Sequence, residues 1–169
     1  MHGTVRTRYG FALTGAALLA LPGLAVADTL EGAIDDEGRQ WYILKADGES
    51  TANFSEHMPG MLGINIQGHA EDHFVVERSI AVSITMMDGK PIGGPEVSYF
   101  PDAGMFPMYT STGDGEWHLE TVEVDGDTAT VTGTYSGQLA LVESMQDEAD
   151  TENTVAVDLR FDVTALRTD

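Results

Sequence analysis

The chain has 169 residues, of which 28 are Asp or Glu, 8 are Lys or Arg and none is Cys. A formal charge of −20 at pH 7 argues against binding to nucleic acid or to anionic lipid head groups, because both repel an acidic surface. The lack of cysteine excludes disulfides, thiolate zinc sites and a lipid-anchored lipoprotein.

The first 27 residues predict a signal peptide that is cleaved before Asp28. Arg6 and Arg8 form a basic segment, an apolar core follows, and the AVA tripeptide at 25–27 has the small-x-small pattern of a cleavage site. The apolar run is shorter than the roughly 20 residues of a transmembrane helix, and the separated arginines favour the general secretory route over the twin-arginine route. We therefore expect a periplasmic or secreted protein without a transmembrane segment after processing. Its mature domain would span 28–169, with 6 basic and 28 acidic side chains and a formal charge of −22.

Alternation of apolar and polar residues predicts an all-β domain. In chain order, EGAIDDEGRQWYIL (31–44) indicates two short strands around a turn that contains Gly38. Strands of period two follow at 62–66 and 80–86, the Asp125-Gly126 dipeptide is typical of a tight hairpin, and VAVDLRFDV (155–163) alternates strictly. We expect an antiparallel β-sandwich or small barrel of about 7–9 strands.

The segment 88–117, DGKPIGGPEVSYFPDAGMFPMYTSTGDGEW, interrupts this regularity with prolines, glycines and interleaved aromatic residues. Prolines withhold hydrogen-bond donors from a sheet, so we expect a long loop with at most short edge strands near Val97 and Tyr109. Two interpretations stay open. The aromatic side chains fold back to plug one end of the domain, or the loop contacts a protein or small-molecule partner.

The sequence GHAEDHF (68–74) is the first candidate metal site. On one continuous strand the two histidines would be roughly 13 Å apart at about 3.3 Å per residue, too far for one metal ion. Extending the phases of the flanking strands instead predicts a short hairpin turn, with Gly68 and Phe74 inward and both histidines outward. Such a turn would chelate Zn(II) or Cu(II), and the alternative is a solvated turn. The candidate ligands are His69, His73, Glu71 and Asp72, with His57 as an outlying one.

Methionine suggests a second candidate site. Met58 and Met61 in HMPGM, and Met105 and Met108 in MFPM, form two pairs that each enclose a proline. Thioethers are soft ligands suited to Cu(I), and their use together with histidine resembles methionine-rich copper carriers, although no His-x-Met pair follows. The alternative is that methionine fills gaps or forms an adaptable binding surface.

Catalytic signatures are absent from the sequence. Ser136 lies in GTYSG, whose Gly-x-x-Ser-Gly spacing departs from the Gly-x-Ser-x-Gly of a nucleophile elbow. A hydrolase that uses a pair of carboxylates stays an alternative, since only spatial separation identifies such a pair.

The order of WYIL, INIQG and GTYSGQL before a final alternating strand resembles small exported bacterial β-sandwich domains of unknown function. This resemblance implies a fold and no catalytic residue. We expect an exported, acidic binding or interaction module that is not an enzyme. The alternatives are a periplasmic copper- or zinc-binding protein and a hydrolase.

Overall fold

The computed structural model describes residues 28–168. Over this range the chain is all-β, as predicted, and it contains no helix long and apolar enough to cross a membrane. The thirteen strands are β1 (Thr29–Ile34), β2 (Glu37–Trp41), β3 (Lys45–Ala46), β4 (Glu49–Ser50), β5 (Ala52–Met58), β6 (Met61–Gly68), β7 (Ser79–Met87), β8 (Lys90–Pro91), β9 (Glu96–Phe100), β10 (Met108–Ser111), β11 (Glu116–Asp125), β12 (Thr128–Val142) and β13 (Asp150–Arg167).

Eleven of these strands form one mixed sheet. Its order is β11-β12-β10-β9-β7-β6-β5-β13-β1-β2, with β8 attached to β7, while β3 and β4 form a separate two-stranded sheet. The pairings are antiparallel except for the contact of β13 with β5, which is parallel. Strand β12 also pairs with β13 over most of its length. The path of paired strands from β12 through β10, β9, β7, β6, β5 and β13 therefore closes on β12.

The thirteen strands exceed the predicted 7–9. The difference comes partly from β3, β4 and β8, which have two residues each. Two residues cannot display a period of two, so such strands are invisible to a search for alternation.

The core lies between the apolar faces of the long strands. On β12 the inward residues include Ala129, Val131 and Leu139, all fully buried, while the outward residues between them are mostly Thr and Ser. The alternation predicted at 62–66, 80–86 and 155–163 likewise corresponds to strands whose apolar residues are buried or packed against the core. Full burial of such a side chain contributes about 1.5–3 kcal/mol, so this single core dominates the stability of the domain.

The first hairpin turns at Asp35 and Asp36 and not around Gly38. Ile34 pairs with Glu37, and both aspartates have positive φ angles, 49° and 66°. Aspartate tolerates this conformation, which a two-residue type I′ turn requires at both central positions. Gly38 instead lies within β2.

The segment 88–117 contains strands β8, β9 and β10 and the first two residues of β11. Strands occur near Val97 and Tyr109 as expected, but they are not edge strands, because β9 pairs with β7 and β10, and β10 pairs with β9 and β12. The prolines at 95, 101 and 107 fall just outside β9 and β10, so no hydrogen-bond donor is lost from these ladders. Tyr99 lies in the core and Tyr109 packs against it. Packing within the domain therefore explains the positions of these two aromatic residues.

Candidate metal-binding site

The turn that carries His69 and His73 is longer than predicted. Strand β6 ends at Gly68 and β7 begins at Ser79, so residues 69–78 form the connection. His69 is fully buried, and its Nδ1 atom lies 2.6 Å from the carbonyl oxygen of Val75. The predicted outward position of His69 is therefore wrong. Its backbone also pairs with Tyr42 in an isolated bridge.

His73 is exposed, as predicted, and lies near the carboxylates of its own turn. Its Nε2 atom is 3.5 Å from Glu71 Oε2, and its Nδ1 atom is 3.4 Å from Asp72 Oδ1. Phe74 is 65% exposed, against the prediction that it points inward, and its ring lies 4.9 Å from that of His69.

The two histidines therefore do not face each other across a turn. Residues 69–78 belong to no strand, so the phases of β6 and β7 do not extend through them. Within residues 28–168, no group of three or more His, Asp or Glu side chains is placed to hold a metal ion.

Methionines, in contrast, come together at the opposite end of β6 and β7. Met58 on β5 pairs with Met61 on β6, and Met61 pairs with Met87 on β7. Directly opposed residues in antiparallel strands place their side chains on one face with Cβ atoms about 4.5–5.5 Å apart. Three thioethers thus form a continuous row across three neighbouring strands, which we call the methionine row.

The methionine row lies on the outer face of the sheet. Ile64 on β6 and Met86 on β7 point into the core, so Met61 and Met87, which lie in the opposite phase of their strands, point outward. Met58 is 54% exposed, whereas Met86 is only 5% exposed.

His57 lies beside this row because of a β-bulge. The register of β5 against β6 shifts between Glu56 and Met58, and a bulge of this kind re-aims a side chain. The His57 ring covers Gly63: its Nε2 atom is 2.5 Å from the position that a Cβ of Gly63 would occupy. Gly63 is two residues from Met61 and shares its face, so one imidazole and three thioethers occupy the same patch.

Hydrogen bonds hold the hairpin tip that carries the row. The Gly60 N–H donates to Glu56 Oε1 at 3.1 Å, and the Asp88 N–H donates to the Gly60 carbonyl oxygen at 2.8 Å. The β5–β6 turn is thereby fixed against the end of β7. Lys90 pairs with Met87 on the far side of the row and is exposed to solvent.

Met105 and Met108 do not join the row. Met108 is adjacent to Tyr109, and Tyr109 pairs with Tyr99 on β9. Tyr99 in turn lies next to the first residues of β7, which begins at Ser79. Ser79 and Met87 are the two ends of β7, about 26 Å apart at about 3.3 Å per residue. The second methionine pair is therefore at the other end of the sheet.

Sequence reasoning missed Met87, although a signal for it was present. The alternation of β7 assigns Met86 to the core face, and the adjacent Met87 must then face outward. What the sequence lacks is the register that places Met87 opposite Met61.

No protein-family model, no curated protein and no solved structure matches this chain.

Proposed function

We propose that the protein is an exported, acidic β-sandwich domain that binds a soft monovalent cation, Cu(I), at the methionine row with His57. The observation that carries this proposal is the pairing of Met58 with Met61 and of Met61 with Met87. We place the function at this row and not at the histidine turn, because His69 is buried and engaged with Val75.

The ligand chemistry favours Cu(I) over harder metals. Thioether sulfur is a soft donor that selects Cu(I), whereas Zn(II) sites are built from thiolate, imidazole and carboxylate groups. The chain has no cysteine, so no thiolate competes with the thioethers for a soft ion. An exported protein without thiols is also spared the oxidation to disulfides that such a compartment favours.

The position of the row is difficult to explain by packing alone. Its neighbours on the outer face of β6 and β7 are Asn65, Gln67, Ser83 and Thr85, which are the polar or hydroxyl side chains expected on a solvated sheet. Methionine replaces them only at the row, where it covers no core. The binding of a ligand therefore explains the methionines at this position better than packing does.

The geometry allows coordination after small side-chain movements. Methionine has three rotatable side-chain bonds, so sulfur atoms on adjacent strands can converge on one ion above the sheet. His57 Nε2 lies over Gly63, on the same face as the thioethers, so from this position a small rotation of the exposed ring would turn the nitrogen toward the ion. The site would then have three sulfur ligands and one nitrogen ligand.

The surrounding charge supports cation binding. Glu56 and Asp88 lie at the hairpin tip, and the whole chain has a formal charge of −20. A strongly acidic surface raises the local concentration of cations and speeds their association.

The pairing order supports a β-sandwich whose two layers are joined at both edges, or a small barrel. Strands β11-β12-β13-β1-β2 would form one layer and β10-β9-β7-β6-β5 the other, joined where β12 meets β10 and where β13 meets β5. A hydrogen bond of 2.8 Å from Trp41 Nε1 to the Arg78 carbonyl oxygen ties β2 to the start of β7.

Export rests on the signal pattern and on Asp28, the first residue after the predicted cleavage site. The Asp28 carboxylate accepts a hydrogen bond from the Thr164 N–H at 2.7 Å and forms an ion pair with Lys45 at 2.5 Å. These two contacts hold Asp28, the residue at which the mature chain would begin, against the domain.

A competition titration tests the proposed function. The purified mature protein would compete with a chromogenic Cu(I) chelator under anaerobic conditions, and we expect one Cu(I) per chain with submicromolar affinity. Replacement of Met58, Met61 and Met87 together by Leu, which is similar in volume and apolar, should abolish binding. The matched control replaces Met105 and Met108 by Leu and should bind as the natural chain does. Equal affinity in both variants would place the metal elsewhere, and no competition by the natural chain would refute the function.

A further inference from the structure

The methionines of this chain differ strongly in their access to solvent. Met58 is 54% exposed, and Met105 and Met145, which lie outside the row, are 61% and 85% exposed. Met86 is adjacent in sequence to Met87 but is only 5% exposed. The chain therefore carries exposed and buried reference methionines with which the row can be compared.

Building on the soft-metal site proposed above, we propose that the methionine row is switched off by oxidation. A peroxide transfers one oxygen atom to a thioether sulfur, so that the O–O bond breaks, the sulfur is oxidised to the sulfoxide and, with hydrogen peroxide, one water is released. The sulfoxide presents an oxygen, which is a hard donor, in place of the soft sulfur lone pair. The oxidised row would no longer hold a soft cation.

The outer position of the row makes this switch compatible with a stable fold. Oxidation of a core methionine introduces a polar group among apolar neighbours and disrupts packing. At Met58 the new sulfoxide oxygen would point into solvent, whereas at Met86 it would enter the core. Loss of metal binding and loss of structure are therefore separable at this site.

Metal binding and oxidation both use the lone pair of the thioether sulfur, so they compete with each other. A bound cation occupies the sulfur lone pair that attacks the peroxide, so a loaded site resists oxidation. Linkage then requires that oxidation lowers the affinity for the cation, because only the reduced row binds it.

Peroxide footprinting of the full mature chain with Ag(I), a soft cation that peroxide does not oxidise further, tests the inference. Without Ag(I), we expect Met58 to be oxidised at a rate comparable with Met105, and Met86 about tenfold more slowly, since susceptibility follows exposure. With one equivalent of Ag(I), oxidation of Met58 should slow about tenfold or more, while Met105 and Met145 should be unaffected. Peptide mass spectrometry measures each site.

A titration of the oxidised protein completes the test. Protein with sulfoxide in the methionine row and an unchanged circular dichroism spectrum should lose Ag(I) binding, and methionine sulfoxide reductases should restore it. Unchanged Ag(I) affinity after oxidation would overturn the switch and leave the soft-metal function intact. If the reduced protein binds no Ag(I), the function and the switch both fail.

Discussion

Replacing Gly63 by Ala should weaken Cu(I) binding without removing any ligand atom. A Cβ at this position would lie 2.5 Å from His57 Nε2, whereas ordinary contacts begin at 3.4 Å, so the ring must withdraw by about 0.9 Å. Displacement of a group that supports metal coordination typically costs about 10–100-fold in affinity, and tenfold corresponds to about 1.4 kcal/mol. We expect a loss in this range.

The same substitution should leave the fold intact. Gly63 does not have a positive φ angle, and Ala is favoured over Gly inside a strand by about 0.5–1 kcal/mol. The displaced His57 ring is exposed and can move into solvent. We therefore expect the free energy of unfolding, measured in urea, to stay constant or rise slightly.

The assay is a Cu(I) competition titration of four variants. Gly38→Ala is the matched control, since a Cβ on this strand glycine meets nothing within 4 Å. His57→Gln should show a loss similar to that of Gly63→Ala, and the double variant should show little more, because both changes act through one ligand. Natural affinity in Gly63→Ala would refute the role of His57.

Three further predictions concern the fold. Gly68→Ala should destabilise the protein by about 1–3 kcal/mol in urea unfolding, because its Cβ would lie 2.4 Å from Leu30 Cδ2 and 2.6 Å from Trp41 Cβ; a change below about 0.5 kcal/mol would contradict the described packing. Tyr135→Phe should raise the free energy of unfolding by about 1 kcal/mol, because the Tyr135 hydroxyl is buried without a hydrogen-bond partner among residues 28–168; a comparable loss would mean that this hydroxyl is bonded. Burial raises the pKa of both Tyr99 and Tyr135, so the folded state retains their protons longer than the unfolded state. Stability should therefore fall as pH rises above about 10, and denaturant midpoints equal at pH 9 and pH 11 would contradict this.

The fold class could be predicted because alternation is a local property of the sequence. The period of two predicts strands such as β13, which has Val155, Val157 and Leu159 on one face. The Asp35-Asp36 turn was misplaced because glycine is the stronger turn signal, although aspartate adopts the same backbone conformation.

The candidate site could be predicted only in part. Met58, Met61 and His57 are close in sequence and were proposed as ligands, whereas Met87 joins them through a register that no local pattern encodes. The outward position predicted for His69 is wrong because its burial depends on the path of a loop and on the contact with Val75, which no local pattern encodes.

X-ray absorption spectroscopy of the Cu(I)-loaded mature protein tests the central claim most directly, because it reports the atoms bound to the metal. We expect a first shell dominated by sulfur, with about three sulfur atoms and one nitrogen atom, and we expect the nitrogen contribution to disappear in His57→Gln. A first shell made only of nitrogen and oxygen would contradict the assignment of the methionine row as the metal site.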